Sequence, residues 1–403
     1  MKEYKYVILG AGPTGLAFAH TLNTLGENSF VVLEANATAG GLCRSRDVDG
    51  SPLDIGGGHF LDVKQQPVLD LLFRFLPRAD WQEHRRVSTI RIRGTEIGYP
   101  IESNLWQLGV DDRLDFLESV AQAGCVRGEP MPESFEKWIS WKLGERIAQE
   151  YMLPYNRKIW SIDLNALGTY WLHKLPDVSF RQTLKSCLDS SAHGTMPAHG
   201  VFLYPKNFGY GEVWKRMGDA LQKRLLLSTP VNKIDLPTMT VNDKFRAGTI
   251  ISSIPWTVWP GIAGIPAPVR SQIERLEYAS IDVDYREQTL ATTAHWVYDP
   301  DESVPYHRIL CRNNFSGGSR GYWTETNSKR ADAEAGFRYR NEYAYPINTT
   351  AKPDAINRVL EWAGQHQITG LGRWGTWEHM NSDVAVAQAI EAAERAVQGS
   401  PPG

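Results

Sequence analysis

The residues that most plainly carry chemistry stand near the start of the chain: Gly10-Ala-Gly12-Pro-Thr-Gly15, then a carboxylate at Glu34. A G-x-G-x-x-G turn between a strand and a helix is suited to a dinucleotide. The first glycine permits the tight turn, the second lets backbone approach a pyrophosphate, and the third lets helix and strand pack closely. The free N–H groups and positive dipole of the helix N-terminus then favour the phosphates. Glu34 follows about 20 residues on, where a carboxylate accepts from a ribose diol and repels a 2′-phosphate. FAD or NAD is therefore expected rather than NADP. The plainer alternative is a glycine-rich turn followed by a surface glutamate.

The elements that must position this motif are legible around it. An apolar run at 6–9, helical spacing at 16–25 and a second apolar run at 30–33 make a βαβ unit. A short helix is expected at 69–75 and a hairpin at 86–99. Residues 105–185 are mostly helical in pattern, with a helix start at Pro132-Glu-Ser-Phe135; Pro154 is expected to break the stretch and leave 155–162 as loop. A helix at 213–221, a strand pair beginning at Val231 and Ile234, and a buried strand at 249–254 return to the dinucleotide domain. Residues 280–347 read as antiparallel sheet, 368–372 as a short strand, 382–397 as a helix, and 399–403 as a frayed tail.

Composition narrows the class. At 403 residues the chain has room for a large core, and roughly two or three domains are expected. It is 42% hydrophobic with a net charge of −3, so neither disorder nor a basic field for nucleic acid is indicated. No apolar run is long enough to span a bilayer. Cys43, Cys125, Cys187 and Cys311 have no paired spacing, so no metal site and no disulfide framework are expected. A strand pattern begins almost at once, which argues against a signal peptide; a cytoplasmic location is expected. Most of the 14 tryptophans are read as packing, a few as pocket walls for flat or sugar-like ligands.

The segments after Glu34 sharpen the reading. Ala39-Gly-Gly41-Leu-Cys-Arg44 and Asp54-Ile-Gly-Gly57-Gly58-His59-Phe60 resemble the next landmarks of the glutathione-reductase-type FAD family, which includes amine oxidases, protoporphyrinogen oxidase and UDP-galactopyranose mutase. From residue 4 to about 397 the chain is similar to the UDP-galactopyranose mutase branch. The resemblance rests on Pro100-Ile101, Ser134-Phe-Glu, Tyr151-x3-Tyr155-x4-Trp160, Leu175-Pro176, Tyr204-Pro-Lys, Val304-Pro-Tyr-His-Arg308, Tyr345-Pro-Ile and Gly372-Arg373 through Asp383.

That resemblance implies FAD and an α/β fold: a Rossmann-like FAD-binding domain of the glutathione reductase type (1–85, 195–258, 365–403), an inserted helical domain (100–194) and an antiparallel β-sheet domain (86–99, 259–364). It implies cofactor contacts from Gly10, Gly12, Gly15, Glu34, Gly41, Arg44, Gly57, Gly58, Val231, Gly372, Arg373, Asn381 and Asp383. His59 and Arg308 are the implied catalytic residues, with Arg308 at a diphosphate and His59 beside the flavin. Tyr151, Tyr155, Trp160, Arg181, Tyr204, Arg308, Trp323 and His379 are the implied substrate contacts, with Tyr151 stacking on a nucleobase. Each has a plainer reading too: a surface ion pair for Arg308, helix packing for the tyrosine pair, a core anchor for Trp160, a structural hydrogen bond for His59.

The implied activity is pyranose–furanose isomerisation of a nucleotide-linked sugar through N5 of reduced flavin, without net electron transfer. Departures from the branch keep a second activity open. The arginine expected just after Leu175-Pro176 is missing, with Arg181 as its nearest replacement, and tyrosine and aspartate positions are taken by Trp323, His379 and Asn381. Fewer guanidinium groups at a diphosphate leave its charge less compensated. An FAD-dependent oxidase, dehydrogenase or desaturase acting on an amine, alcohol or C–C bond is therefore the alternative. Expected partners are a small-molecule substrate, NAD(P)H or another external reductant, and a second copy of the chain; nucleic acid and membrane are not expected.

Overall fold

The apolar run at 6–9 is the buried half of a longer strand. In the computed structural model, which describes all residues except 63, 173–176, 195–199, 333–335 and 400–403, strand Lys2–Leu9 pairs in parallel with Phe30–Leu33 on one side and Phe245–Ser252 on the other. Both partners bury their apolar residues on both faces, as parallel strands between helices must. Leu225–Leu226 extends the sheet beyond Phe30–Leu33. Along the far side of Phe245–Ser252, its first residues pair with the hairpin Ile234–Asp235/Thr240–Val241 and its last with Ile368–Gly370. Helix Pro13–Thr24 leaves the first strand and packs against helix Ser382–Gln398. On the opposite face lies helix Lys352–Gln365, whose Ala355, Val359 and Ala363 share a core with Val7, Leu9 and Val31.

A second seven-stranded sheet runs Phe337–Pro346, Tyr278–Arg286, Tyr322–Asn327, Arg308–Leu310, Trp296–Tyr298, Ser88–Ile92 and Thr95–Gly98. It is antiparallel, as expected, apart from one parallel pairing of Trp296–Tyr298 with Ser88–Ile92. That pairing arises because the expected hairpin at 86–99 is added to the sheet from a distant part of the chain. Helices Val110–Ala121, Phe135–Leu143 and Phe180–Asp189 form the helical part.

One expectation there is overturned. Residues 155–160 are not loop: Leu153–Trp160 is helical and continues Glu145–Ile147 through a wide π-turn at Ala148–Met152. Pro154 falls in the first turn after that widening, where its missing N–H and its ring are tolerated. The turn Leu175-Pro176 and the end of the tail lie outside the described residues.

Candidate functional site

The glycine motif sits where strand becomes helix. Gly10 takes φ +97°, and a Cβ on Gly15 would lie 2.0 Å from the Gly10 carbonyl oxygen, so both positions require glycine. Gly12 is the N-cap of helix Pro13–Thr24, and a Cβ on Gly41 would lie 3.1 Å from its Cα. The two glycine turns therefore face each other at bare-backbone distance. Glu34 ends its strand with Oε2 accepting from the Ala11 amide (2.8 Å) and Oε1 from the amide and side chain of Asn36 (2.8 and 2.7 Å). It thus pins the glycine loop, and each oxygen keeps lone-pair capacity for a ribose hydroxyl.

These groups open onto a cleft of ≈ 440 Å³, within the range of small-molecule and cofactor sites. Gly10, Gly12, Glu34, Gly41, Arg44, His59, Arg373 and Asn381 of the expected set line it, joined by Asn36 and by Tyr339, Asn341 and Tyr343 from the second sheet. Helix Ser382–Gln398, with Asn381 as N-cap, turns a second helix N-terminus to the same cleft, so two positive dipole ends converge there. Arg44 donates to the Gly41 carbonyl and the Tyr339 hydroxyl (2.8 and 2.9 Å). Arg373 is held by the carbonyls of Met380 and Ala344; burial lowers its pKa, and its charge is not cancelled by an ion pair among the described residues. A dianionic pyrophosphate suits this donor set.

Other expected cofactor residues support the cleft from behind. Gly372, at φ +69°, has no room for a Cβ, which would meet Thr14 Oγ1 at 2.0 Å. Asp383 is buried in the first turn of the last helix. Val231 follows Thr229, whose amide donates to the Glu34 carbonyl (2.8 Å), but Val231 itself is partly buried, packs against the edge of the core beside the sheet and is not among the residues lining the cleft. The glycines at 56–58 lie against protein atoms. They are bare because other protein atoms press on them: a Cβ would lie 1.6 Å from the Leu42 carbonyl oxygen at Gly56, 2.8 Å from Glu325 Oε1 at Gly57 and 2.3 Å from Leu310 at Gly58. His59, on the same loop, has Nδ1 at 3.1 Å from the Gly57 carbonyl. Burial first, then the Arg373 charge, push its pKa down to about 3, so the ring is neutral.

From the cleft a line of aromatic and charged groups leads toward the helical part. Arg308 stands directly across the strand pair from Glu325, and its guanidinium bonds Glu325 Oε2 and the Tyr345 hydroxyl (3.2 Å). Burial works against the Arg308 charge, but Glu325 together with the hydroxyls of Tyr345, Tyr155 and Tyr298 outweighs it and holds the pKa above the arginine value. Glu325 is fully buried, and its Oε1 accepts from the Gly58 amide (2.9 Å). One carboxylate thereby ties the glycine loop to Arg308. His307 packs edge-on to Tyr155 (5.9 Å) with Nε2 3.9 Å from Glu325 Oε2. Tyr155 also meets Tyr298 (5.6 Å) and Tyr151 (5.8 Å), and Tyr345 meets His379 (4.9 Å) and Trp160 (6.4 Å). The structure thus brings together Arg308, Tyr151, Tyr155, Trp160 and His379.

Three expected substrate residues are not in this group. Tyr204 is fully buried, its hydroxyl donating to Asp54 (2.9 Å), a carboxyl that burial raises to about 7. Trp323 is also fully buried, packed against Phe315. Both are core residues: Tyr204 lies on strand Val201–Pro205 of a third, three-stranded sheet and packs on Phe315 (4.9 Å), which Trp323 meets from the second sheet (5.6 Å). Arg181 is exposed on helix Phe180–Asp189, so it does not supply a buried second cation. Sequence reasoning missed Glu325, Tyr298, Tyr339 and His307. Glu325 lies two residues beyond Trp323, on the same strand face, which is the signal that points to it.

The arrangement, a Rossmann-type dinucleotide cleft roofed by a second sheet, has counterparts among known proteins. Residues 8–76 match the NAD(P)-binding Rossmann-like domain family. The UDP-galactopyranose mutase of Mycoplasma pneumoniae is 22% identical over 98% of this chain and 97% of its own length. The crystal structure of reduced UDP-galactopyranose mutase superposes with a TM-score of 0.88 at 23% identity, covering 98% of this chain and 94% of that one. Cyclohexylamine oxidase from Brevibacterium oxydans shares the fold with a TM-score of 0.67 at 15% identity, over 98% of this chain and 99% of its own. Among the described residues no helix is long and apolar enough to cross a membrane, and the four cysteines are unpaired.

Proposed function

We propose that the chain is an FAD-dependent enzyme acting on a nucleotide-linked sugar, isomerising pyranose and furanose rings as the mutases it resembles are named for. Glu34, Gly12, Arg44, Arg373 and the two helix N-termini would hold the dinucleotide. Bound and reduced, the flavin supplies a nucleophile at N5 for the anomeric carbon. The protein's own contribution is positional and electrostatic. Arg308 neutralises charge building on a departing diphosphate oxygen, with Glu325 and Tyr345 fixing its plane. Tyr155 and Trp160 wall the path, and Tyr151 takes the nucleobase. His59, neutral and hydrogen-bonded to its own loop, orders that loop beside the cleft.

The observation that carries this reading is the unbroken line from the dinucleotide cleft through Arg308 to the Tyr151–Tyr155 pair. A second reading, net redox chemistry on an amine, alcohol or C–C bond, is favoured by one specific observation. Arg308 is already paired with a buried carboxylate and Arg181 is exposed, so little cationic charge is left for a diphosphate. The test is direct. The purified protein should be yellow and, after dithionite reduction, should interconvert a nucleotide sugar with no net redox change. Bleaching of the oxidised flavin by an amine or alcohol, with no sugar conversion, selects the second reading.

A further inference from the structure

Helix Leu153–Trp160 carries a lysine that the chemistry above does not use. Lys158 is 0% exposed, and among the described residues no carboxylate pairs with its ammonium. A buried lysine is normally held by an opposite charge. Here the ammonium donates instead to two backbone carbonyls, those of Asp299 (2.8 Å) and Asp301 (2.5 Å), and lies 5.6 Å from the centre of the Tyr306 ring. All three residues belong to the loop that joins strand Trp296–Tyr298 to strand Arg308–Leu310, and Tyr298 and Arg308 are direct partners where that loop begins and ends. On the same helix, Tyr155 packs on Tyr298 (5.6 Å) and His307 (5.9 Å), and Trp160 meets Tyr345 (6.4 Å), which bonds Arg308. The buried Asn327 side chain donates to the carbonyls of Ile159 (2.9 Å) and Trp160 (3.4 Å) and fastens the helix end to strand Tyr322–Asn327. Lys158 fastens it to the Tyr298–Arg308 strand pair.

We infer that Lys158 is a positioning residue for the proposed reaction: its ammonium clamps the helix bearing Tyr155 and Trp160 onto the strand pair bearing Tyr298 and Arg308, and so sets the width of the substrate path between them. The inference rests on the nucleotide-sugar reading above and deepens it. The clamp depends on charge, because charge-assisted hydrogen bonds are roughly twice as strong as neutral ones. Burial opposes that charge most, and Arg330 opposes it too; Asp299, Asp301 and Glu302 on the loop favour it, and the pKa comes down to about 8. Lys158 therefore passes from ammonium to amine as pH rises through about 8, and the clamp weakens above that point. In this range His59 and His307 are already neutral, and Tyr155 and Tyr345 keep their protons.

The test uses the purified full-length, flavin-loaded protein with UDP as probe, titrated by tryptophan fluorescence from pH 7 to pH 9. The wild type should bind UDP about threefold or more weakly once pH has risen through about 8. Lys158→Arg, whose guanidinium stays charged throughout, should hold its affinity across the range. Lys158→Met should bind at least about tenfold more weakly at pH 7 and show no pH dependence. Flavin absorbance and thermal midpoint confirm that the variants fold; should Lys158→Met not fold, the wild-type and Lys158→Arg profiles decide alone. A lysine that merely holds the fold together would change the midpoint and leave UDP affinity level with pH. A level wild-type profile, or the same fall in Lys158→Arg, therefore overturns the inference while the proposed function stands. If UDP binds at no pH, the nucleotide-sugar reading falls and takes the inference with it.

Discussion

Arg308 and Glu325 face each other across neighbouring strands, one nearly and one fully out of solvent. Removing one member of a buried pair leaves the other charged and uncompensated, at a cost of about 3–5 kcal/mol. Glu325→Ala should therefore lower stability by that order in urea unfolding, and also free the Gly58 amide. A loss below about 1 kcal/mol is what an exposed pair shows, and it would mean the pair is solvated. His307 is fully buried, and burial, then the charges of Arg308 and Lys158, hold its pKa well below 6.5. The unfolded chain then takes up a proton that the folded chain refuses. Its contribution is present above pH 6.5 and lost on acidification, at up to about 1.4 kcal/mol per pH unit. His307→Gln should remove that share, so the stability gap between wild type and variant shifts in the variant's favour as pH falls. A gap that does not change between pH 7 and pH 5 would falsify this assignment. At this scale the sequence was readable where chemistry is local, as at Glu34. It was faint at Glu325, signalled only by its strand spacing from Trp323, opaque at His307, whose role depends on cross-strand register, and misleading at Tyr204 and Trp323, whose burial no motif reveals.

Elements were legible in proportion to how local their causes are. The first strand, helix and second strand announce themselves by apolar period and a glycine turn, because the backbone conformation is set within that span. The 153–160 helix was hidden by Pro154: a proline ends most helices, and only the π-turn before it explains why this one continues. Helix Lys352–Gln365 escaped notice because its apolar face is interrupted by polar residues and its partner surface comes from the distant dinucleotide sheet. The joint that closes the first strand onto its helix is Gly15 against Gly10. An added methyl has no space there, and such overpacking costs about 1–3 kcal/mol. Gly15→Ala should lower the thermal midpoint and yield protein with little bound flavin. Full flavin content with an unchanged midpoint would show that the helix can shift aside.

For the whole molecule, Arg312 matters out of proportion to its place in the chain. It is fully buried, lies over the Tyr285 ring, and donates to the carbonyls of Val48, Ser51, Pro52 and Arg320. No carboxylate bonds it among the described residues. It fastens the hairpin Ser45–Val48/Ser51–Asp54, which leads into the glycine loop at 56–58, to the second sheet. Arg312→Met keeps much of the volume but strands those carbonyls, each worth about 1–3 kcal/mol when buried unpaired. The variant should lose several such increments and become sensitive to limited proteolysis near residues 45–54; resistance equal to wild type would show that water replaces the guanidinium.

The strand order of the dinucleotide sheet has a temporal meaning. Gly10 and Ser382 border the same cleft, and a strand from 368–370 completes one side of the sheet next to Phe245–Ser252. A ribosome must therefore have released nearly all of these residues before the cleft has its second helix end. Loading of the prosthetic group belongs after helix Ser382–Gln398 has emerged, and until then the first βαβ unit waits with a half-built neighbour, the stage at which a chaperone has most to protect.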